Sequence, residues 1–290
     1  MRVLLTGGTG FLGRRVLPLL QQHEVLCVSR EPARLPRRRG VEVLAADLGS
    51  DGDWMRVIAK FRPELCLHLA WEGLPDYSLE RCRVNLDAGI RLLGAAGQSS
   101  LQRMVVAGTC WEYGRASGPV TEDLAPTGVD VFAATKDALL TVLDSVARSS
   151  VFEYRWARIF FVYGPGQRSS SLIPSLRAAY TSGRTPHIRT PETLQDFVHV
   201  EDVAAALVAL TEAETPSGVF NVGTGRPTSV AHVANAASEH YGVPRPFECV
   251  PGADGFWADT QKMYASTGWR ARIGIDEGIV NTLAALDDGA

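Results

Sequence analysis

The first fourteen residues, Met1-Arg-Val-Leu-Leu-Thr-Gly-Gly-Thr-Gly-Phe-Leu-Gly-Arg14, constrain this chain more than any other stretch. Arg2 to Thr6 is a short apolar run with β-branched content, which reads as a buried strand. Gly7, Gly10 and Gly13 follow at three-residue spacing. From Phe11 the apolar residues Phe11, Leu12, Val16, Leu19 and Leu20 fall at helical spacing, predicting a helix to about Gln22. A strand, a glycine turn and a helix in this order form a phosphate cradle. Glycines let the backbone turn tightly and approach a pyrophosphate, and the helix N-terminus offers N–H groups and a partial positive charge. A glycine triplet alone also fits an ordinary turn. The strand before it and the helix after it favour a dinucleotide site, with Thr9, Phe11 and Leu12 beside the three glycines against the cofactor.

Strand and helix signals alternate through the first half. Strands are expected at Glu24–Ser29, Val41–Ala45, Leu65–Leu69, Arg103–Ala107 and Tyr154–Phe161, and helices at Trp54–Phe61, Leu79–Gly97 and Val131–Ser149. Such alternation implies parallel strands with right-handed crossovers. The fold expected is therefore α/β: a Rossmann-type doubly wound parallel sheet with a smaller mixed C-terminal substrate lobe.

Composition narrows the partners. The 290 residues are 46% hydrophobic, enough for a large core, and the net charge of −3 gives no reason to expect nucleic acid. The basic run Arg37-Arg38-Arg39 reads as a solvated helix end. Five cysteines (Cys27, Cys66, Cys82, Cys110 and Cys249) are scattered and never in Cys-x-x-Cys spacing, which fits reduced thiols and neither a disulfide frame nor a metal site. The chain opens directly on the strand, and no apolar run reaches bilayer length, so a cytoplasmic protein with no membrane partner is expected.

Ligands of doubly wound sheets sit at the carboxyl ends of the strands, so the residues there carry the chemistry. Ser29-Arg30 stands where an acidic residue would bind the adenosine ribose. A guanidinium there suits a 2′-phosphate and favours NADP, while Glu31 keeps NAD open. Asp47, before Leu48, fits either an acceptor for the adenine amino group or a helix cap. His68 reads as a satisfied core histidine, Ala70 after Leu69 as a point of close backbone approach, and Trp71 as a pocket wall or packing. Asn85 inside a helix is costly unless hydrogen-bonded, so it is expected to order nearby backbone. Lys136 is the one charge on the first turns of an apolar helix face. It fits either a ligand for ribose hydroxyls that lowers a neighbour's pKa or a snorkelling lysine.

Together these motifs resemble the extended short-chain dehydrogenase/reductase family of the NAD-dependent epimerase/dehydratase type, which modifies nucleotide sugars. The resemblance rests on Gly7-x-x-Gly10-x-x-Gly13, Asp47-Leu48, His68-Leu69-Ala70, Asn85, Thr109 to Gly114, Lys136 and Arg158-Ile-Phe-Phe-Val-Tyr-Gly-Pro-Gly166. It continues through Gln195 to Asp202, Phe220-Asn-Val-Gly-Thr-Gly225, Lys262 and Gly268-Trp269, and so covers nearly the whole chain. It implies a catalytic Ser or Thr, Tyr and Lys. Thr109 is the hydroxyl and Lys136 the lysine, but the tyrosine position holds Phe132. Phe cannot move a proton, and general acid–base catalysis contributes about 10²–10⁴-fold. Three readings stand: an engineered Tyr→Phe exchange; a natural use of another acid, from Tyr113, Tyr163, Glu112 or water; or a protein that binds cofactor and sugar without turnover.

The resemblance narrows the reaction too. Family 4,6-dehydratases carry Asp-Glu after this Thr, and here those positions are Cys110 and Trp111, so dehydration is not expected. Reduction at a ring carbon, as by a 4-ketoreductase of a deoxysugar nucleotide, is the expected activity; a nucleotide-sugar epimerase is the alternative. The cofactor expected is NADP, with NAD as the alternative. Residues 1–165 with the return segment 196–224 make the dinucleotide domain, and 166–195 with 225–290 the substrate lobe. Trp71, Thr109, Trp111, Phe161, Arg168 and Gln195 are expected at the substrate, with Arg177, Arg184 and Arg189 as further diphosphate candidates. Gln195 stands where many relatives have Arg. A homodimer through the helices at 79–97 and 131–149 is implied, with Leu139, Leu143 and Val146 compatible with that interface or with burial inside one subunit.

Overall fold

The computed structural model describes residues 1–97, 100–150, 152–248 and 253–289; Cys249 lies outside them. The chain begins with β1 (Arg2–Thr6), α1 (Gly13–Val16), β2 (Glu24–Ser29), β3 (Val41–Ala45), α2 (Trp54–Phe61), β4 (Leu65–His68), α3 (Leu79–Gly97) and β5 (Arg103–Thr109). It continues through β6 (Gly118–Val120), α4 (Val131–Ser150), β7 (Glu153–Ile159), β8 (Phe161–Tyr163), α5 (Leu172–Thr181), β9 (Thr193–Gln195), β10 (Phe197–His199) and α6 (Val200–Glu212). It ends with β11 (Gly218–Val222), β12 (Thr228–Ser229), α7 (Val230–His240), β13 (Ala253–Ala258), α8 (Gln261–Thr267) and α9 (Ile275–Asp287).

Seven strands form one sheet in the order β3-β2-β1-β4-β5-β7-β11, every pair parallel. Strand order reverses between β1 and β4, which opens a crevice at their carboxyl ends. Alternation of side chains fills both faces. Val3, Leu5, Leu67 and Val105 pack with Val16, Leu20, Val203 and Leu207 of α1, its extension and α6. Leu4, Cys66, Met104 and Val106 point the other way, onto Ile58, Leu92, Leu139 and Leu143 of α2, α3 and α4. Burial on both faces is why these strands read as continuous apolar runs.

Several elements differ from the sequence expectation. The first helix keeps α geometry only to Val16 and continues as a 3-10 segment over Leu17–Leu20. Pro18 explains this, because it has no N–H for the ladder and its ring crowds the carbonyl four residues back. The run expected as one strand over Tyr154–Phe161 divides at Phe160. β7 stays in the main sheet, while β8 pairs in parallel with β10.

The smaller sheet, β12-β9-β13-β6, is mixed: β12 pairs antiparallel with β9, and the other pairs are parallel. Its β6 comes from the first half of the chain. α5, α7 and α9 close a third core around Ile173, Leu176, Val233 and Leu283. Ala258, Met263 and Trp269 belong instead to the core of the main sheet, so the C-terminal segment is shared between the two units. Leu139 and Leu143 are buried inside the subunit, where a Cβ on Gly89 of α3 would lie 2.9 Å from Leu139. Their apolar character is accounted for without a second copy.

Candidate active site

The glycine turn folds as its spacing demands. Gly7 has φ +77°, and a Cβ there would stand 2.7 Å from the Ala70 nitrogen, so the β1 and β4 ends meet backbone to backbone. A Cβ on Gly13 would stand 2.1 Å from the Gly7 carbonyl oxygen, which fixes the helix against the turn. Beside this cradle the Trp71 indole N–H is buried without a partner. A tight glycine turn and an orphaned donor next to it are features that a dinucleotide would fit, and Gly7, Gly10 and Gly13 are the residues that would hold its pyrophosphate.

At the end of β2, Ser29 is buried and its hydroxyl accepts the Glu31 N–H at 3.1 Å. Arg30 is exposed, but its guanidinium is paired with Glu72, whose other carboxylate oxygen holds Arg81. The fork read as free for a 2′-phosphate therefore has a carboxylate on it. Asn85, 6% exposed, accepts the Glu72 N–H at 2.7 Å and donates to the Glu72 and Arg81 carbonyls at 3.1 and 2.8 Å. It thus pins the loop after β4. Asp47 caps no helix: its carboxylate accepts the Gly49 N–H at 2.9 Å in a local turn, and Leu48 is buried in the core. His68 shares a 2.7 Å hydrogen bond with the Thr6 hydroxyl, and burial, then the Lys136 charge, pushes its pKa down to about 3. It stays neutral, as a core histidine.

Thr109 ends β5 and caps the 3-10 turn Cys110–Tyr113. Its hydroxyl accepts the Trp111 N–H at 3.3 Å while Glu112 reaches back to the Thr109 N–H at 2.9 Å. Glu112 is fully buried and takes the Arg158 Nε at 2.7 Å and the Trp156 Nε1 at 3.0 Å. Burial pushes its carboxyl above the usual range against the pull of Arg158. A Cβ on Gly108 would lie 2.2 Å from that indole nitrogen, so glycine is what lets Trp156 reach the carboxylate. Tyr113 is also buried, under Arg158 at 4.4 Å, with its hydroxyl donating to Asn221 Oδ1 at 2.7 Å. Two of the candidate replacement acids are thus engaged inside the protein. Tyr163 lines the same cavity as Thr109 and its hydroxyl has no partner among the described residues, but it is 2% exposed and turned to His199 and Gly278.

Phe132 and Lys136 share one face of α4. The Lys136 ammonium is 6% exposed, donates to the Ala107 carbonyl at 2.7 Å and lies 4.1 Å from the Trp71 ring centroid. Burial lowers its pKa to about 8. Phe132 is enclosed by Trp71 at 5.1 Å, Trp111 at 5.8 Å and Tyr77 at 5.1 Å between ring centroids. Tyr77 was missed in the sequence because it precedes α3 in a stretch without periodicity. Its position after a central strand, in a chain lacking the expected Tyr, was the available signal.

A cavity of about 350 Å³ brings together Thr109, Trp111, Phe161, Arg168 and Gln195. Trp71 lies apart from it, on the Lys136 side. Arg177 is paired with Asp287 at 2.6 Å and Arg184 bonds Ser182, and neither these two nor Arg189 lines the cavity. Among the described residues no cluster of His, Cys, Asp or Glu could hold a metal ion, and no helix is long and apolar enough to cross a membrane.

The seven-stranded parallel sheet, its crevice and the glycine turn are those of the extended short-chain dehydrogenase/reductase fold. The chain belongs to the NAD dependent epimerase/dehydratase family, whose model matches residues 3–223. It is 25% identical to the dTDP-L-rhamnose 4-epimerase of Burkholderia thailandensis, over 96% of this chain and 93% of that one. It is 29% identical to the dTDP-6-deoxy-L-talose 4-dehydrogenase (NAD(P)(+)) of Kitasatospora kifunensis, again over 96% and 93%. Among solved structures, MoeE5 in complex with UDP-glucuronic acid and NAD matches at 28% identity with a TM-score of 0.87, over 100% of both chains.

Proposed function

We propose that this protein is a dinucleotide-dependent 4-ketoreductase acting on the sugar of a nucleotide-diphosphate sugar. The observation that carries the reading is Thr109 at the end of β5 with the Lys136 ammonium bonded to the Ala107 carbonyl of the same strand, while Glu112 is sealed under Arg158 and Trp156. Elimination of water needs an acid and a base at the sugar. Cys110 is buried with its thiol raised well above the usual range, and Trp111 offers neither. Hydride transfer needs only a positioned oxygen and a proton source.

A bound dihydronicotinamide would supply the hydride. Thr109 accepts the Trp111 N–H, which leaves its own O–H to donate to the reacting oxygen. Lys136, still cationic at neutral pH, would hold the ribose hydroxyls near Ala107 and Trp71. Phe132, Trp111 and Trp71 exclude water from that corner. Arg168 at the cavity suits the diphosphate, and Gln195 a neutral hydrogen bond to it. For the cofactor we favour NAD. The Glu72 carboxylate on Arg30 would repel a 2′-phosphate, and MoeE5 is one of several solved relatives described with NAD. The exposed Leu79 and Ile90 of α3 and Val131 of α4 are where a second copy would pack.

NADH and NADPH oxidation with 4-keto-6-deoxy nucleotide sugars tests the reading: consumption matched by alcohol product is expected. The second reading, 4-epimerase, is favoured by the Burkholderia relative. It predicts interconversion of C4 epimers with no net change in cofactor. Dinucleotide binding without either outcome would point to the non-catalytic protein.

A further inference from the structure

Phe132 leaves the reaction without its usual proton donor, and the structure holds seven tyrosines from which a replacement can come. Four have a hydrogen-bonded hydroxyl. Tyr113, Tyr154, Tyr180 and Tyr241 donate to Asn221, Asp144, Ala234 and Asp287. Tyr163 lines the cavity and its hydroxyl has no partner among the described residues, but the side chain is 2% exposed and that hydroxyl is turned into Gly278, away from Phe132, and Tyr264 of α8 lies under Arg270. Tyr77 alone touches the vacated position, with ring centroids 5.1 Å from Phe132 and 5.3 Å from Trp111, a cavity-lining residue. It is half-buried, and its hydroxyl makes no hydrogen bond among the described residues.

We propose that Tyr77 is a catalytic residue of this protein, supplying from the loop after β4 the phenol that α4 lacks. The inference rests on the ketoreductase reading. The loop is built to hold the side chain. Asp76 caps the Ser78 N–H at 2.9 Å, Cys82 Sγ donates to the Tyr77 carbonyl at 3.7 Å, and Glu72 and Asn85 tie the loop to α3. Lys136, 5.9 Å from the Phe132 centroid, places positive charge beside the box, where a developing phenolate needs it. In the step, a bound dihydronicotinamide would supply the hydride for the new C–H bond and be left as the oxidised nicotinamide. The carbonyl π pair moves to oxygen and takes the Tyr77 proton. The phenolate regains a proton from water reaching the half-buried loop.

The test uses the native chain, Tyr77→Phe, Phe132→Tyr and the double exchange, each assayed for NADH-dependent reduction of 4-keto-6-deoxy nucleotide sugars and for oxidation of dTDP-6-deoxy-L-talose. Tyr77→Phe is expected to lower kcat by about 10²–10⁴-fold, with NADH affinity and thermal midpoint nearly unchanged, because the lost hydroxyl has no partner. Adding Phe132→Tyr should restore turnover. A second readout is fluorine NMR of fluorotyrosine-labelled protein: the resonance missing from Tyr77→Phe should shift when dTDP-6-deoxy-L-talose is added. Turnover surviving in Tyr77→Phe, or appearing only in Phe132→Tyr, overturns the proposal and leaves the ketoreductase reading intact. No turnover and no shift in any of the four chains overturns that reading, and the proposal with it.

Discussion

Two corners flank the end of β5, and they treat polar atoms in opposite ways. Behind Thr109, Glu112 is surrounded by Arg158, Trp156 and a backbone N–H, and Tyr113 is bonded to Asn221. In front, the Lys136 ammonium lies against Trp71 and Phe132, whose ring in turn meets Trp111 and Tyr77, and the Trp71 N–H and Tyr77 hydroxyl have no partner among the described residues. The first corner is a polar network around Glu112, in which only the Arg158 Nη1 lacks a partner among the described residues, and it fixes where Thr109 points. The second is the set of groups that the proposed function assigns to a ligand. A charged residue near a site is therefore no guide to chemistry until its partners are counted.

The sharpest way to break the contrast is to unpair the closed corner. Arg158→Met leaves Glu112 buried without a counter-charge and should cost about 3–5 kcal/mol in urea unfolding, whereas Glu112→Leu together with Arg158→Met should recover most of the loss. Equal losses in the single and double variants would mean that packing, not the ion pair, holds the turn.

The open corner predicts a pH signature. Lys136 titrates at about 8 in the fold, against 10.5 for a lysine side chain free in water. Between these values the unfolded chain binds more protons, so this group adds stability as pH rises through the window and adds none of that change below it. The span of 10.5 − 8 corresponds to about 3 kcal/mol. The native protein should gain that much relative to Lys136→Met from pH 8 to 10.5, read by urea unfolding at each pH. Parallel stability curves would show that the ammonium is not buried. Smaller again is the cofactor effect. Glu72→Gln frees Arg30 from its carboxylate and should shift the NADPH/NADH affinity ratio about three- to tenfold toward NADPH, modest because Arg30 is exposed. An unchanged ratio would remove Arg30 from the ribose site.

How far the sequence could be read follows from what each residue depends on. Gly7 and Gly13 were legible because φ and close approach are local demands that only glycine meets. β2, β3 and α3 were legible because burial on two faces or one writes a period into the chain. Thr109, Trp111, Phe161, Arg168 and Gln195 could be placed near one another from the family pattern, and one cavity does gather them. Three things were not legible. The Arg30–Glu72 pair joins residues 42 apart, the Glu112–Arg158 pair residues 46 apart, and Tyr77 meets Phe132 across the crevice. Those contacts are set by tertiary geometry, and no local pattern records them.

Asp47 gives the mildest test, and it separates two roles that the sequence left open. Its carboxylate accepts the Gly49 N–H at 2.9 Å on an exposed turn, so the turn alone should lose less than about 1 kcal/mol in Asp47→Ala. A side chain that also accepts from the adenine amino group would add a several-fold loss in NADH affinity. Asp47→Asn keeps an oxygen acceptor for both partners while removing the charge. If the side chain serves only the turn, Ala and Asn variants bind NADH as the native chain does. If it serves the adenine as a neutral acceptor would, affinity falls in Ala and survives in Asn; if charge matters, both fall. The exposed rim of the cradle would then belong with the open corner, its polar atom held for a ligand, and not with the network behind Thr109.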